Sequence, residues 1–365
     1  MKMDRDGRGL GNRAQLLPSD PREPTEDAEG ADPGLLAEIR HGPRHVRDPA
    51  DPRRIVIGTP PIPMGRASGH EVWRLPHATE AGWADDIGYV FGGDFLFAHL
   101  LVPEPVGADL ARLTHQAYAR LLTFVRGSRY PHPLRVWNYL SRINAYERGV
   151  ERYQAFCRGR ATALTEGAVP ESRFPAATAI GCDAPGLSIH LLAGRQPGTP
   201  IENPRQLSAY AYPLTYGRRS PSFVRAMLYD GPQHSRELAI SGTASIVGHV
   251  TMHPGQLQRQ LRETIRNLDS VMRGARALSP RLSRLHPVWL KVYLRDPDRV
   301  REVDAVLRAW AGEDSSLLYL RGSICRRDLE IEIEGHGAVS RPDRDDPARA
   351  ERDPPVGQQD PSATK

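Results

Sequence analysis

Residues 329–334 alternate between apolar and acidic, with Leu329, Ile331 and Ile333 set against Glu330, Glu332 and Glu334. A period of two is that of a strand, and it places the three carboxylates on one face. The same logic predicts elements upstream. Leu257, Leu261, Ile265, Leu268 and Met272 recur at spacings of three and four, giving a helix with one apolar stripe opened by Pro254-Gly255. Val288, Leu290, Val292 and Leu294 alternate with Trp289, Lys291, Tyr293 and Arg295, a half-buried strand. Residues 298–311 return to helical spacing through Val300, Val303, Leu307 and Trp310, and a strand is expected over Leu317–Cys325. The order β–α–β–α–β–β is that of an α+β layer fold with helices on one face of a mixed sheet.

The first half of the chain repeats that order. Phe95–Leu101 is an apolar run expected as a buried strand, and Leu110, Leu113, Ala117, Leu121 and Phe124 form a helical stripe. His132-Pro133 then precedes a strand, as His286-Pro287 does in the second half. The shared order and the shared dipeptide suggest an internal duplication. Between the halves, Tyr210, Tyr212, Leu214 and Tyr216 fall on one face if 208–216 is a strand, and Gly217 turns the chain into Arg218 and Arg219.

Composition changes the picture at the ends. Residues 1–54 and 339–365 are dense in Asp, Arg, Pro and Gly and poor in aromatics, so both are expected to be disordered tails. That leaves a folded part of about 55–337, divided into halves 55–236 and 237–338. Three cysteines without a CxxC argue against a disulfide scaffold and against zinc, and fit a reducing cytoplasm. The chain has no run of about 18 apolar residues able to span a bilayer. A net charge of +5 is too small and scattered for nucleic acid and favours anionic ligands only mildly. GxGxxG, GxxxxGK[ST] and GxSxG are all absent, so no nucleotide cofactor or serine nucleophile is expected. His249 and His253 lack a third ligand, and no metal is expected.

Two stretches hold candidate chemistry. Cys325 and Arg326-Arg327 immediately precede the acidic strand, where a rigidly held carboxyl beside cations suits acid–base work on an anion; a solvated, charge-balanced face is the alternative. The Tyr-Arg segment 210–219 suits an anionic ring, since guanidinium forks match carboxylates; an ordinary Tyr-rich strand is the alternative.

The order of Ile240–Ser245, the helix with Asn267-Leu268, Val292–Asp296 and Ile331–Glu334 resembles RidA-like (YjgF) proteins. Longer motifs resemble the chorismatase family: Arg129–Tyr139, Glu151–Cys157, Phe174–Gly181 and Tyr216–Phe223, in one order over about 85–335. The resemblance implies a RidA-like core extended by a second related half, and an enzyme that removes the enolpyruvyl group of chorismate as pyruvate. It implies Glu332 as the catalytic acid. It also implies, through Cys325 seven residues earlier, the branch that forms 3-hydroxybenzoate; a further selector, Gly or Ala, falls on Gly242 or Ala244. Alternatives are hydrolysis to a dihydroxycyclohexadiene carboxylate, or an imine-hydrolysing or purely metabolite-binding RidA-like protein. Arg219 and Arg326, with Arg218 in reserve, are expected to meet the substrate carboxylates, and Tyr212 and Tyr216 to orient the ring. No organic cofactor is required. A duplicated unit is compatible with a monomeric pseudo-oligomer or a homotrimer.

Overall fold

The computed structural model describes residues 32–64, 69–278, 282, 285–312 and 315–339. Its first element overturns part of the expected N-terminal tail. Leu35–His41 (β1) is a buried strand, parallel to Arg54–Ile57 (β3) and antiparallel to His70–Arg74 (β4), with Val46–Arg47 (β2) at the edge. Leu36, Ala37 and Ile39 are buried there. Averaging composition over the first 54 residues hid this short apolar run among its Pro, Asp and Arg neighbours. The expected tails over 1–31 and 340–365 lie outside the described residues.

Two larger sheets follow. The first holds Glu80–Ala84 (β5), Ile87–Gly92 (β6), Phe95–Val102 (β7), His132–Ser141 (β8), Ala176–Cys182 (β11) and Leu187–Gly194 (β12) in the order β11-β8-β12-β7-β6-β5. Leu110–Gly127 (α1) connects β7 to β8. A small hairpin, Tyr146–Glu147 (β9) and Val150–Glu151 (β10), then Arg152–Glu166 (α2), connect β8 to β11. Asp109 caps α1 by accepting from the amides of Ala111 and Arg112. The second sheet holds Thr199–Ile201 (β13), Ala226–Asp230 (β14), Arg236–Thr243 (β15), Leu285–Leu294 (β18), Ser316–Arg321 (β19) and Ile331–Val339 (β20), ordered β13-β14-β15-β20-β18-β19. Ile246–Val247 (β16), Val250–Thr251 (β17) and Leu257–Arg276 (α3) connect β15 to β18, and Val300–Ala311 (α4) connects β18 to β19.

The two sheets have one topology: an antiparallel meander, a helix, a strand, a helix, a strand parallel to the previous one, and a strand inserted at the centre. The match extends to register. Pairing skips one residue directly after each His-Pro, Leu134 against β12 and Val288 against β20. Six residues after each proline stand Tyr139 and Tyr293, whose hydroxyls meet at 3.0 Å. The internal repeat and the α+β class expected from the hydrophobic pattern are both present.

Two large apolar cores result, one built mainly on the first sheet with α1 and α2, the other between the second sheet and α3 and α4. The sheet faces away from the helices meet each other, through Tyr139 and Tyr293 and through Arg135 on β8 and Glu334 on β20. Two expected strands differ. β19 ends at Arg321 rather than Cys325, so Cys325 lies in the loop to β20. The segment 208–216 is no strand: it forms short 3-10 turns at Ala209–Ala211 and Leu214–Tyr216. Pro213 removes a ladder donor between them, and Tyr212 is buried while Leu214 is exposed, so the residues share no face. Among the described residues, no helix is long and apolar enough to cross a membrane.

Candidate active site

β20 is the central strand where the two sheets face each other, and its acidic side chains do not point to water. Glu332 is 4% exposed and Glu334 is fully buried, while Glu330 is only half-buried. The alternative reading of the acidic strand as a solvated face therefore fails for Glu332 and Glu334. A period of two places Glu332 and Glu334 together but cannot say that a second sheet covers them.

Glu334 is held from three strands. Arg135 (β8) pairs with its Oε2, Thr178 (β11) donates to the same oxygen at 2.6 Å, Tyr293 (β18) donates to Oε1 at 2.7 Å, and Lys291 (β18) lies 3.0 Å from Oε1. Burial works to raise this carboxyl, but the two cations and the two hydroxyl donors outweigh it and bring Glu334 down to about 2. Lys291 also lies 3.1 Å from Glu71 on β4, and Glu71 accepts a 2.6 Å bond from His41 on β1. A buried polar chain thus runs from the N-terminal sheet to β20.

Glu332 is the opposite case. No hydrogen bond to its carboxyl is found among the described residues. Burial first, and then the negative charge of Glu334, push it up to about 8, against the guanidinium groups of Arg135 and Arg225. A carboxylic acid that keeps its proton at neutral pH is the result.

Gly242 lies directly beneath it. A Cβ there would overlap Glu332 Oε1 and come within 2.8 Å of its Cδ, so the carboxyl occupies the space a side chain would fill. Gly242 sits in a bulge of β15, where pairing with β20 slips between Ile240 and Thr243. The bulge is pinned: Gly242 donates its amide to Thr178 Oγ1 at 2.9 Å, and Ser241 Oγ donates to the Val224 carbonyl and accepts from the Ala177 amide. Ala244, two residues on, packs with Ile246, Ile324 and Leu329 against Cys325, and Asn267 of α3 donates to its carbonyl at 3.0 Å.

The loop carrying Cys325 is fixed from two sides. Arg295 donates to the carbonyls of Leu329 and Arg326, and Gln260 of α3 accepts from the Glu330 amide and donates to the Asp328 carbonyl. Burial and the Glu332 charge push the Cys325 thiol up, so it stays neutral at physiological pH. Tyr153 and Cys157, both on α2, complete this side: burial pushes the Cys157 thiol up to about 12 and raises the Tyr153 phenol, so both stay neutral.

A wall of rings and cations forms the other side. The Arg326 guanidinium lies 4.2 Å from the Tyr216 ring centroid and 5.5 Å from that of Tyr212. Arg326 donates to the His249 carbonyl at 2.8 Å, and the Tyr216 hydroxyl meets His249 Nδ1 at 3.1 Å. Buried Arg225 donates to the Tyr212 hydroxyl at 2.9 Å, and its Nε has no hydrogen-bond partner among the described residues. Tyr212, Tyr216 and Arg326 are thus brought together as expected, but Arg219 is not: it is exposed. Arg218 lines a separate cavity of 430 Å³ with Asp109, Arg148, Arg152 and Arg158, and neither Glu332 nor Cys325 borders it. The turn at Gly217 carries the Arg pair outward, and the inner cation is Arg225. Arg225, Glu334, Lys291, Arg135 and Thr178 were all missed from the sequence. Lys291, a lone cation amid Leu290, Val292 and Tyr293, was the one legible signal of a buried charge.

The first half lacks this chemistry. The partner of Tyr139 on β12 is Ser188, where the partner of Tyr293 on β20 is Glu332. The next inward position carries His190, bonded to Ser188 at 2.9 Å, in place of Glu334.

Comparison with known proteins agrees with the motifs and the fold. Residues 71–193 match a family model described as chorismatase FkbO/Hyg5-like, N-terminal. A 3-hydroxybenzoate synthase of Streptomyces hygroscopicus is 37% identical over 276 residues, covering 73% of this chain and 80% of that protein. A chorismatase of the same species is 33% identical over 320 residues, covering 85% and 90%. A crystal structure of a chorismatase superposes with a TM-score of 0.77 at 33% identity, over 87% of this chain and 96% of the other. The chain belongs to the chorismatase family.

Proposed function

We propose that this enzyme removes the enolpyruvyl group of chorismate as pyruvate and forms 3-hydroxybenzoate. The observation that carries the reading is the Glu332 carboxyl, pushed up to about 8, seated over Gly242 and beside neutral Cys325. Cleaving an enol ether starts by protonating its terminal methylene carbon, which a carboxylic acid still protonated at neutral pH can do. Glu332 gives up its proton, the methylene becomes a methyl, and positive charge develops at the ether carbon. The carboxylate left behind, itself buried, stabilises that cation.

The ring carbon–oxygen bond then breaks with its electron pair going to oxygen, and the side chain leaves as pyruvate. The neighbouring ring hydroxyl bonds to the vacated carbon and returns its proton to Glu332. Opening of that bridge with loss of a ring proton gives the phenol. Chorismate is isomeric with pyruvate plus a hydroxybenzoate, so the route consumes no net water. Cys325 serves it by excluding water or relaying a proton. Arg326 and Arg225 supply cations for the two carboxylates, and Tyr212 and Tyr216 the ring-facing wall.

The test is to incubate purified protein with chorismate, measure pyruvate and identify the ring product. Pyruvate with 3-hydroxybenzoate is expected. A dihydroxycyclohexadiene carboxylate would move the enzyme to the hydrolytic reading, and no pyruvate above background would remove the enzyme reading altogether.

A further inference from the structure

We propose that Glu334 is the positioning residue of this site, fixing the bulge beneath Glu332 and holding a permanent negative charge beside it, and that the N-terminal sheet takes part through Glu71. The inference rests on the reading of Glu332 as the proton donor.

The geometry supplies three arguments. Glu332 has no hydrogen-bonding anchor among the described residues, whereas Glu334, two positions along the same face, has four donors from β8, β11 and β18. One of those donors is shared with the catalytic bulge: the Thr178 hydroxyl gives its hydrogen to Glu334 and accepts the Gly242 amide, so Glu334 determines where Gly242 sits and hence where Glu332 can sit. The charges are also balanced across the sheets. Lys291 and Arg135 are offset by Glu334 and Glu71, and Lys291 is shared between the two carboxylates. Losing Glu334 would leave Arg135, which already acts on Glu332, without its counter-charge and favour Glu332 ionisation; losing Glu71 would leave Glu334 as the single carboxylate offsetting both Lys291 and Arg135.

The charged and titratable groups facing Glu332 are Glu334 on its own strand, Tyr293 opposite it on β18, Arg135 from β8, Arg225 from the segment before β14, Cys325 from the preceding loop and Tyr153 from α2. Tyr293, Cys325 and Tyr153 remain neutral, so Glu334 is the one anion in the set.

The experiment is an NMR titration of protein carrying ¹³C at the glutamate carboxyls, with the Glu332 signal assigned by its loss in Glu332→Gln. This reads ionisation without turnover. In Glu334→Gln the Glu332 midpoint is expected to fall by about one unit or more. Glu71→Gln moves it the same way by less, and Glu334→Asp, which keeps the charge, leaves it near the wild-type value. Pyruvate release follows: the basic limb of the kcat profile moves down with the midpoint, while KM stays within about threefold. A merely structural Glu334 would lower kcat at every pH without moving the limb, and unmoved midpoints in both Gln variants overturn the proposal. Should Glu334→Gln fail to fold, Glu71→Gln alone decides, and no downward shift there sinks it. A wild-type protein that releases no pyruvate but shows these shifts would discard the proposed reaction and keep the positioning role.

Discussion

Glu332 and Glu334 stand two residues apart on one strand and carry different numbers of protons at neutral pH. Like charges cannot both ionise cheaply when buried side by side, and four donors decide which one does. Pyruvate release should fall as pH rises through about 8, where Glu332 loses the proton it donates, and Glu332→Gln should be slower by about 10²–10⁴-fold in a stopped assay. Stability carries the same signature. Between the ordinary value of 4.5 and the folded value of about 8, the folded state holds a proton that the unfolded state has lost. The contribution of this group therefore declines as pH rises through that window. Glu332→Gln lacks that decline, so its melting temperature should gain on wild type between pH 5 and pH 8. Gly242→Ala should leave the fold intact but displace the carboxyl, costing about 10–100-fold in kcat because misplacement of the order of an ångström is expensive.

At the scale of elements, β18 and β20 show where a strand pattern stops being informative. Alternation of apolar and charged residues identified both strands, and one face of each does pack on helices. The charged face is equally buried because the partner sheet supplies the counter-charges: Arg135 and Thr178 reach Glu334 from more than 150 positions away in the chain. Lys291→Met would leave Glu71 and Glu334 facing each other without their shared cation. A loss of about 3–5 kcal/mol is expected from urea unfolding, the usual cost of breaking a buried pair from one side. The segment 208–216 failed in the other direction. Its alternation suggested a strand, but Pro213 interrupts it and the Tyr–Arg wall is built from turns.

At the scale of the whole molecule, one unit was used twice and only one copy kept the acid. Ser188 and His190 fill the places of Glu332 and Glu334 in the first half, and that half serves instead as the wall that covers β20, through Arg135, Thr178 and Tyr139. The N-terminal sheet is as much a part of the body: His41 on β1 closes the chain of contacts through Glu71 to Lys291. A protein shortened to begin at Gly58 should lose near-ultraviolet circular dichroism and cooperative melting, because β1, β2 and β3 are all removed, β4 is left without its sheet and Glu71 without His41.

Local periodicity was enough to determine the α+β class, the helices α1, α3 and α4, the repeated order of elements and the shared His-Pro before β8 and β18, because each depends on neighbours within a few residues. The motif resemblance singled out Glu332 and Cys325 and left Gly242 and Ala244 as alternatives. Only the tertiary structure decided that Glu334 is buried and kept ionised beside Glu332, which arginine faces inward and that residues 35–57 belong to the folded body. Those outcomes depend on burial and on charges brought together from distant parts of the chain, and neither burial nor distance is written in the order of residues.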